Sequence, residues 1–353
     1  AYRRIRAWVK MRDDDGRRLP NMRDVARGAN LSLITVSRAM REPQKVRPET
    51  RERVERAIAQ IDYVPHLAAR SLQKSRSNIV ALLLPSLQNS AFSTTAQGLL
   101  DVLEPEGYQL MVGSIGDFRD PSVERKLLSA FLGRRPDAIV LTGASRDEAT
   151  DRMLERASVP VINIWSKARH PHSMSIGPDN RRAAREMTEG LLDRGYARIG
   201  FLGGYSRYND IVRARRQGYL DAMSKRGVAL SESWLKEIDA PARMVEVGNA
   251  FMELLAAAPE IDAIFCPGDH YAIGALLRAG AEGIAVPGRV AIAGFGDLEL
   301  SACLTPALTT VHVDAYELGR LAGSKVLSAL FGEASHEGKV IAVGHQLVWR
   351  AST

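Results

Sequence analysis

The sequence predicts an α/β protein in two parts: a small all-α head at the N-terminus, then a large body of doubly wound parallel sheets. Three observations predict it. Residues 22–40 read as two short amphipathic helices joined by a tight turn. From residue 79 onward, continuous apolar runs of strand length alternate with helical stretches. Charge is divided unevenly as well. Residues 1–77 hold 19 Lys+Arg against 9 Asp+Glu, the remainder 29 against 32, so the whole +7 excess sits in the head.

In chain order, residues 1–19 are Arg-rich, are interrupted by Asp13-Asp14-Asp15, and are expected to be a disordered basic tail with no dedicated role. They lack the apolar centre of a signal peptide, and no 18-residue apolar run follows, so a cytoplasmic location and no membrane partner are expected. Asn21 is placed to cap the first helix, with Asp24 favoured near its N-terminus. Met22, Val25, Ala26 and Ala29 give that helix one apolar face. Asn30 suits the left-handed residue that ends many helices. Ser32 caps the second helix, whose Val36, Ala39 and Met40 pack back and leave Leu33, Ile34, Ser37 and Arg38 outward. Spacing alone admits an ordinary helical hairpin beside a helix-turn-helix that enters a DNA major groove. Pro48 and Glu49 then open a third helix with Val54, Ala57, Ile58 and Ile61 as its stripe, completing a domain over residues 20–64. Residues 65–77 form a hinge segment too short to be a stable helix by itself; it needs its symmetry mate or DNA. Basic charge concentrated here suits phosphate contacts.

In the body, residues 78–353, the strand-like runs are Ile79–Leu84, Gln109–Val112, Ala138–Leu141, Val161–Ile164, Ile199–Leu202, Ala263–Cys266 and Val290–Ala293. Helical stretches such as Ala96–Leu103, Glu124–Leu132, Ala183–Arg194 and Tyr271–Ala279 intervene. So long a body exceeds one typical core, which predicts two lobes. Ligands of such sheets bind beyond the strand C-terminal ends. Thr142, Trp165-Ser166-Lys167, Gly268-Asp269-His270 and Gly294-Phe295-Gly296-Asp297 stand there. Thr142 could equally cap its strand, Trp165 and Lys167 could face solvent, and Asp269 fits a helix-capping role better than ligand contact.

Enzymatic motifs are missing: there is no Gly-Lys-Ser/Thr phosphate loop, no Gly-x-Ser-x-Gly elbow and no His-Glu-x-x-His pair. The seven histidines are scattered, and two cysteines, Cys266 and Cys303, make neither a disulfide framework nor a metal cluster. No catalytic residue, metal or cofactor is expected.

Asp24-Val25-Ala26, Ser32, Thr35-Val36-Ser37-Arg38, Thr50-Arg51-Glu52-Arg53-Val54, Tyr63-Val64-Pro65 and Ala68-Ala69-Arg70-Ser71-Leu72 stand at the spacing of one family. The chain resembles the lactose/galactose repressor (LacI) family of bacterial transcription regulators from about Asn21 to its end. Leu84-Pro85-Ser86-Leu87-Gln88-Asn89 and Ala293-Gly294-Phe295-Gly296 resemble the gluconate-utilisation repressors within it. The resemblance implies a periplasmic-binding-protein-like pair of lobes with crossings near Ile176, Thr310 and Val340. Lobe 1 would then hold about 78–176 and 311–339, and lobe 2 about 177–310 and 340–353. It implies base reading by Leu33, Ile34 and Arg38, phosphate contacts from Thr35 and Ser37, and further DNA contacts from Arg23, Arg41 and Thr50. Leu72 would wedge into the minor groove beside Ala69.

For an effector it implies Phe92, Arg215 (in Arg-Arg-Gln-Gly-Tyr) and Arg243. Phe92 could instead be core, and Arg215 a surface ion-pair residue. Gly296 stands where many sugar-binding relatives carry an acid. With Arg215, Arg243 and Lys167 nearby, a sugar acid such as gluconate is expected, because Arg pairs well with carboxylates. The implied partners are double-stranded operator DNA, a small-molecule effector and a second copy of the chain. No heptad-bearing tail follows the last strand, so a dimer is expected. The competing readings are a solute-binding protein or a sugar-processing enzyme on the same architecture; the first should lack the basic head.

Overall fold

A computed structural model describes residues 20–63, 76–116, 120–204, 209–238, 243–332 and 338–353. The basic tail and the hinge, with Ala69 and Leu72, lie outside the described residues. The chain divides into two units, residues 1–75 and 76–353.

Among the described residues the head holds three α-helices, α1 (Met22–Ala29), α2 (Leu33–Arg41) and α3 (Pro48–Gln60). Local chemistry sets their ends. The Asn21 side chain accepts from the Arg23 amide at 2.8 Å, while Asp24 accepts the Asn21 amide at 2.9 Å, closing a reciprocal cap. Asn30 turns left-handed at φ 51°, and Ser32 accepts from the Thr35 amide at 3.1 Å. Pro48 starts α3, where its missing N–H costs nothing. Val25, Ala29, Val36, Ala39, Val54 and Ala57 are buried together with Tyr63. Arg53 of α3 braces the end of α1, donating to the Ala29 carbonyl at 2.7 Å.

The body has two parallel sheets. The first holds β1 (Ile79–Leu84), β2 (Gln109–Ser114), β3 (Ala138–Thr142), β4 (Val161–Ile164), β5 (Met174–Pro178) and β11 (Val340–Val343), in the order β11-β5-β4-β3-β1-β2. The second holds β6 (Ile199–Gly204), β7 (Leu235–Ile238), β8 (Ala263–Phe265) and β9 (Ala291–Ala293), in the order β7-β6-β8-β9. All pairings within both are parallel. Central strands are buried on both faces, which is why Ile79–Leu84 is apolar throughout rather than alternating. β10 (Thr310–His312) and β12 (Gln346–Val348) pair antiparallel beside β9.

Helices cover the sheets: α4 (Ser90–Leu103), α5 (Pro121–Leu132), α6 (Glu148–Ala157) and α12 (Ala315–Leu330) on the first, and α7 (Asn180–Asp193), α8 (Asp210–Lys225), α9 (Met244–Ala257) and α10 (Asp269–Ala281) on the second. A short α11 (Glu299–Cys303) follows β9. The strand ladders mark where the chain passes from one sheet to the other. Ile176 lies inside β5, so the first crossing follows Pro178; Thr310 lies inside β10, so the second follows that strand. Val340 pairs with Ser175 at the sheet edge, which keeps β11 in lobe 1 and moves the third crossing to Gly344-His345. In each case the ladder runs on until its register partner is used up.

Close helix contact depends on glycine. A Cβ at Gly319 of α12 would lie 2.1 Å from the Thr95 carbonyl oxygen of α4, and one at Gly98 would lie 2.2 Å from that of Tyr316. Gly319→Ala is therefore expected to push these helices apart at a cost of about 1–3 kcal/mol. Thermal unfolding would read this as a lower Tm; an unchanged Tm would mean that the pair separates freely.

Candidate functional site

The head presents α2 outward. Ile34 is 73% exposed and Leu33 42%, two neighbouring apolar side chains outside the buried cluster of the head. Arg38, Arg41 and Arg23 are exposed too, while Thr35, Ser37 and Thr50 are half-buried. Thr35 also meets the Ser32 hydroxyl at 2.8 Å, which fixes its rotamer at the start of α2. The outward face therefore offers two apolar contacts and a guanidinium, the chemistry of thymine methyls and a guanine edge.

A cavity of about 360 Å³ opens between the two sheets of the body, at the C-terminal ends of β1, β3, β4, β6 and β8. Its size is ordinary for a small-ligand site. Phe92, Thr142, Trp165, Arg215, Arg243, Gly268, Asp269 and Gly296 all line it. Lys167 and Asp297 do not. Trp165 takes a left-handed backbone (φ 65°) that turns Lys167 aside, where it pairs with Asp179 at 2.7 Å. Asp297 is drawn away to His312 at 3.0 Å and Arg350 at 2.7 Å.

Arg215 is the best-held group. It projects from α8 at 7% exposure, with Nε donating to Asn180 Oδ1 at 2.8 Å and Nη1 to the Pro267 carbonyl at 2.6 Å. Its guanidinium lies 3.5 Å over the Phe295 ring. Nη2 has no protein partner among the described residues. Burial pushes Arg215 down to about 9, against the pull of Asp269, which leaves it charged at neutral pH.

Asp269, by contrast, is spent on the scaffold. Its carboxylate accepts from Ser301 Oγ and Thr310 Oγ1, each at 2.6 Å, and from the Leu298 amide at 3.0 Å. Burial pushes its carboxyl up. Trp165 likewise uses its Nε1 on Thr95 at 3.1 Å and packs edge-on to Phe92, so both rings act as wall. Thr142 donates to the Leu83 carbonyl at 3.2 Å. Arg243 faces the cavity mouth but is 79% exposed and tied to Glu246 at 2.8 Å.

Sequence reasoning missed several polar residues here, among them Glu124, Arg146 and Asp210. His270 stacks on Tyr271 at 3.7 Å, and its buried Nδ1 has no partner among the described residues. Burial and then Arg215 push it down to about 4, so it meets the cavity as a neutral ring. It belongs to the Gly268-Asp269-His270 run at the end of its strand. Asp210, opening α8 in lobe 2, reaches across to lobe 1. It accepts from Ser166 Oγ at 2.6 Å, the Ala144 amide at 3.2 Å and the Ser145 amide at 3.4 Å. Gly143 makes room for it: φ is +78°, and a Cβ would sit 2.6 Å from Asp210 Oδ1.

Residues 21–66 match the family of bacterial regulatory proteins called the lacI family, and residues 188–353 match a periplasmic binding protein-like domain. The chain is 31% identical to the HTH-type transcriptional regulator GntR of Pseudomonas aeruginosa, over 95% of this chain and 96% of that protein. It is 30% identical to the regulator IdnR of Escherichia coli, over 93% and 96% of the two chains. Among solved structures, a LacI-family transcriptional regulator from Silicibacter pomeroyi superposes with a TM-score of 0.85 at 31% identity, over 94% of this chain and 99% of that one.

Proposed function

This chain belongs to the lacI family of bacterial regulatory proteins, and from that premise we propose that it represses a sugar-acid utilisation operon and releases its operator when a gluconate-like acid fills the cleft. It is a DNA-binding transcriptional regulator whose relatives are regulators, and we read it as having no catalytic activity of its own. Among the described residues no helix is long and apolar enough to cross a membrane, and action on DNA fits the cytoplasm. Two copies would set two α2 helices on half-sites of a pseudo-palindrome, with Leu33, Ile34 and Arg38 at the base edges. Thr35, Ser37, Arg23, Arg41 and Thr50 would meet the backbone, and Ala69 with Leu72 the operator centre.

The observation that carries the effector reading is Arg215: a buried cation lining a cavity of ligand size, held through Nε and Nη1 and with Nη2 unbonded among the described residues. On the Gly296 side the one lining acid, Asp269, already accepts from Ser301, Thr310 and the Leu298 amide among the described residues. Effector atoms would bridge Arg215 to the lobe 1 wall, holding the lobes together and turning the paired heads off register. The coupling required is about 1–3 kcal/mol.

The test is a gel shift on DNA upstream of the neighbouring sugar-acid genes, with calorimetric titration of gluconate, gluconate 6-phosphate and neutral sugars. Operator binding relieved by a sugar acid is expected. Binding of neutral sugars alone would reject the effector class, and no operator binding would reject the repressor reading.

A further inference from the structure

We propose that Glu124 and Arg146 form a displaceable ion pair on the lobe 1 wall, in which the effector's carboxylate takes the place of Glu124 against Arg146. This rests on the reading of the cleft as a sugar-acid site. Both residues line the cavity, Glu124 from the first turn of α5 and Arg146 from the loop after β3.

Arg146 is an unusual side chain for a wall. It is 1% exposed, and its Nη2 is spent on the Gly143 carbonyl and on Asn163 Oδ1. Asn163 is itself fully buried and held by Ser173 at 2.6 Å, so the guanidinium is fixed from behind. Yet Nε and Nη1 are buried without a hydrogen bond among the described residues. Glu124 Oε1 stands 3.7 Å from Nε, near enough to balance charge and too far to hydrogen-bond. The protein thus carries a buried cation whose donors its own counter-ion does not engage. A carboxylate seated a little closer would use them.

The surroundings of Glu124 favour its yielding. On its own helix Asp120 is occupied in capping, and Arg125 is paired with Asp147 of the following loop. Asp151 of α6 and Asp210 of α8 face it from the other packed elements. Burial, and then these two acids, push its carboxyl above the usual range, against the pull of Arg146 and Arg125. Two carboxylates crowding one guanidinium repel, so an arriving anion raises Glu124 further. Glu124 takes up a proton from solvent as the sugar acid binds, and the neutral carboxyl rotates aside. A neutral polyol makes no such demand.

The full chain is titrated calorimetrically with gluconate from about pH 8 to about pH 5.5, where gluconate stays ionised. The wild type is expected to gain affinity as pH falls, by up to about tenfold per pH unit for one proton taken up. Glu124→Gln keeps the shape and removes the charge. It should bind gluconate at least about tenfold more tightly than the wild type at the alkaline end, and lose most of the pH dependence. Glucose should show neither change. If Glu124 instead accepts the effector's hydroxyls, Glu124→Gln weakens gluconate at every pH, and the proposal fails while the sugar-acid reading survives. A wild type that binds no sugar acid at any pH overturns both.

Discussion

Arg215→Met is expected to abolish the response at wild-type effector doses while leaving operator binding in place. The side chain is held by Asn180 at 2.8 Å and by the Pro267 carbonyl at 2.6 Å, and it lies flat on Phe295. What remains for a ligand is a charged donor whose direction is already fixed, so binding loses no side-chain entropy in ordering it. Hydrogen bonds to charged groups are worth about 1.5–3 kcal/mol each, and loss of the charge adds to that. A loss of about 3 kcal/mol corresponds to roughly 150-fold in Kd. Arg215→Lys should recover little of this, because an ammonium cannot brace against Asn180 and Pro267 and still present a third donor. Some thermal stability will be lost in both variants, since Asn180 Oδ1 and the Pro267 carbonyl lose their donor in a buried place. Gel shifts without effector report whether the operator-binding form survives. Half-release of operator at the wild-type effector concentration would remove Arg215 from the site.

The place of Arg215 on the cavity wall was legible through the resemblance: it stands in an Arg-x-x-Gly-aromatic run on one helix, whose Tyr219 is buried. The helix caps were legible on local ground, because Asn21, Asn30 and Ser32 act within three residues of themselves. The errors share a different cause. Lys167 and Asp297 stand just past strand ends, where position in the chain says "cleft". The turn that follows decides otherwise, through the left-handed Trp165 in one case and the distant Arg350 in the other. Asp269 looked like a helix cap and is in fact a tie between α10, α11 and β10, with partners 32 and 41 residues away. Glu124 and Arg146 left no trace, because neither belongs to a motif and they meet only when α5 and the β3 loop close on the same sheet edge. Four strands of the first sheet could be read from apolar runs, but β5 and the edge strand β11 could not. Val340–Val343 alternates between exposed and half-buried, which is weak as a core signal, and only its pairing with β5 assigns it to lobe 1.

Asp210→Ala should uncouple the lobes without touching the ligand's own contacts. The Asp210 carboxylate is the lobe 2 half of a latch whose lobe 1 half is two backbone amides and the Ser166 hydroxyl. The Ser166 bond at 2.6 Å is short and charge-assisted, while the amide bonds at 3.2 and 3.4 Å are weaker. A net loss near 2 kcal/mol from the closed arrangement shifts a two-state equilibrium by roughly 30-fold. An effector that must hold the lobes together then has to supply that difference, so its apparent affinity falls by the same factor. Asp210→Asn keeps one acceptor oxygen and should fall between. Operator affinity without effector should stay within about twofold of the wild type. The distinguishing measurement is the effector dose at half-release. Asp210→Ala should reach full release at a dose roughly 30-fold higher and Arg215→Met at one roughly 150-fold higher, because one variant changes the balance between open and closed lobes and the other removes a contact with the ligand. A wild-type dose for Asp210→Ala would mean that the closed lobes are held by their apolar walls, Phe92 and Trp165 against Phe295, and that the latch only sets their alignment.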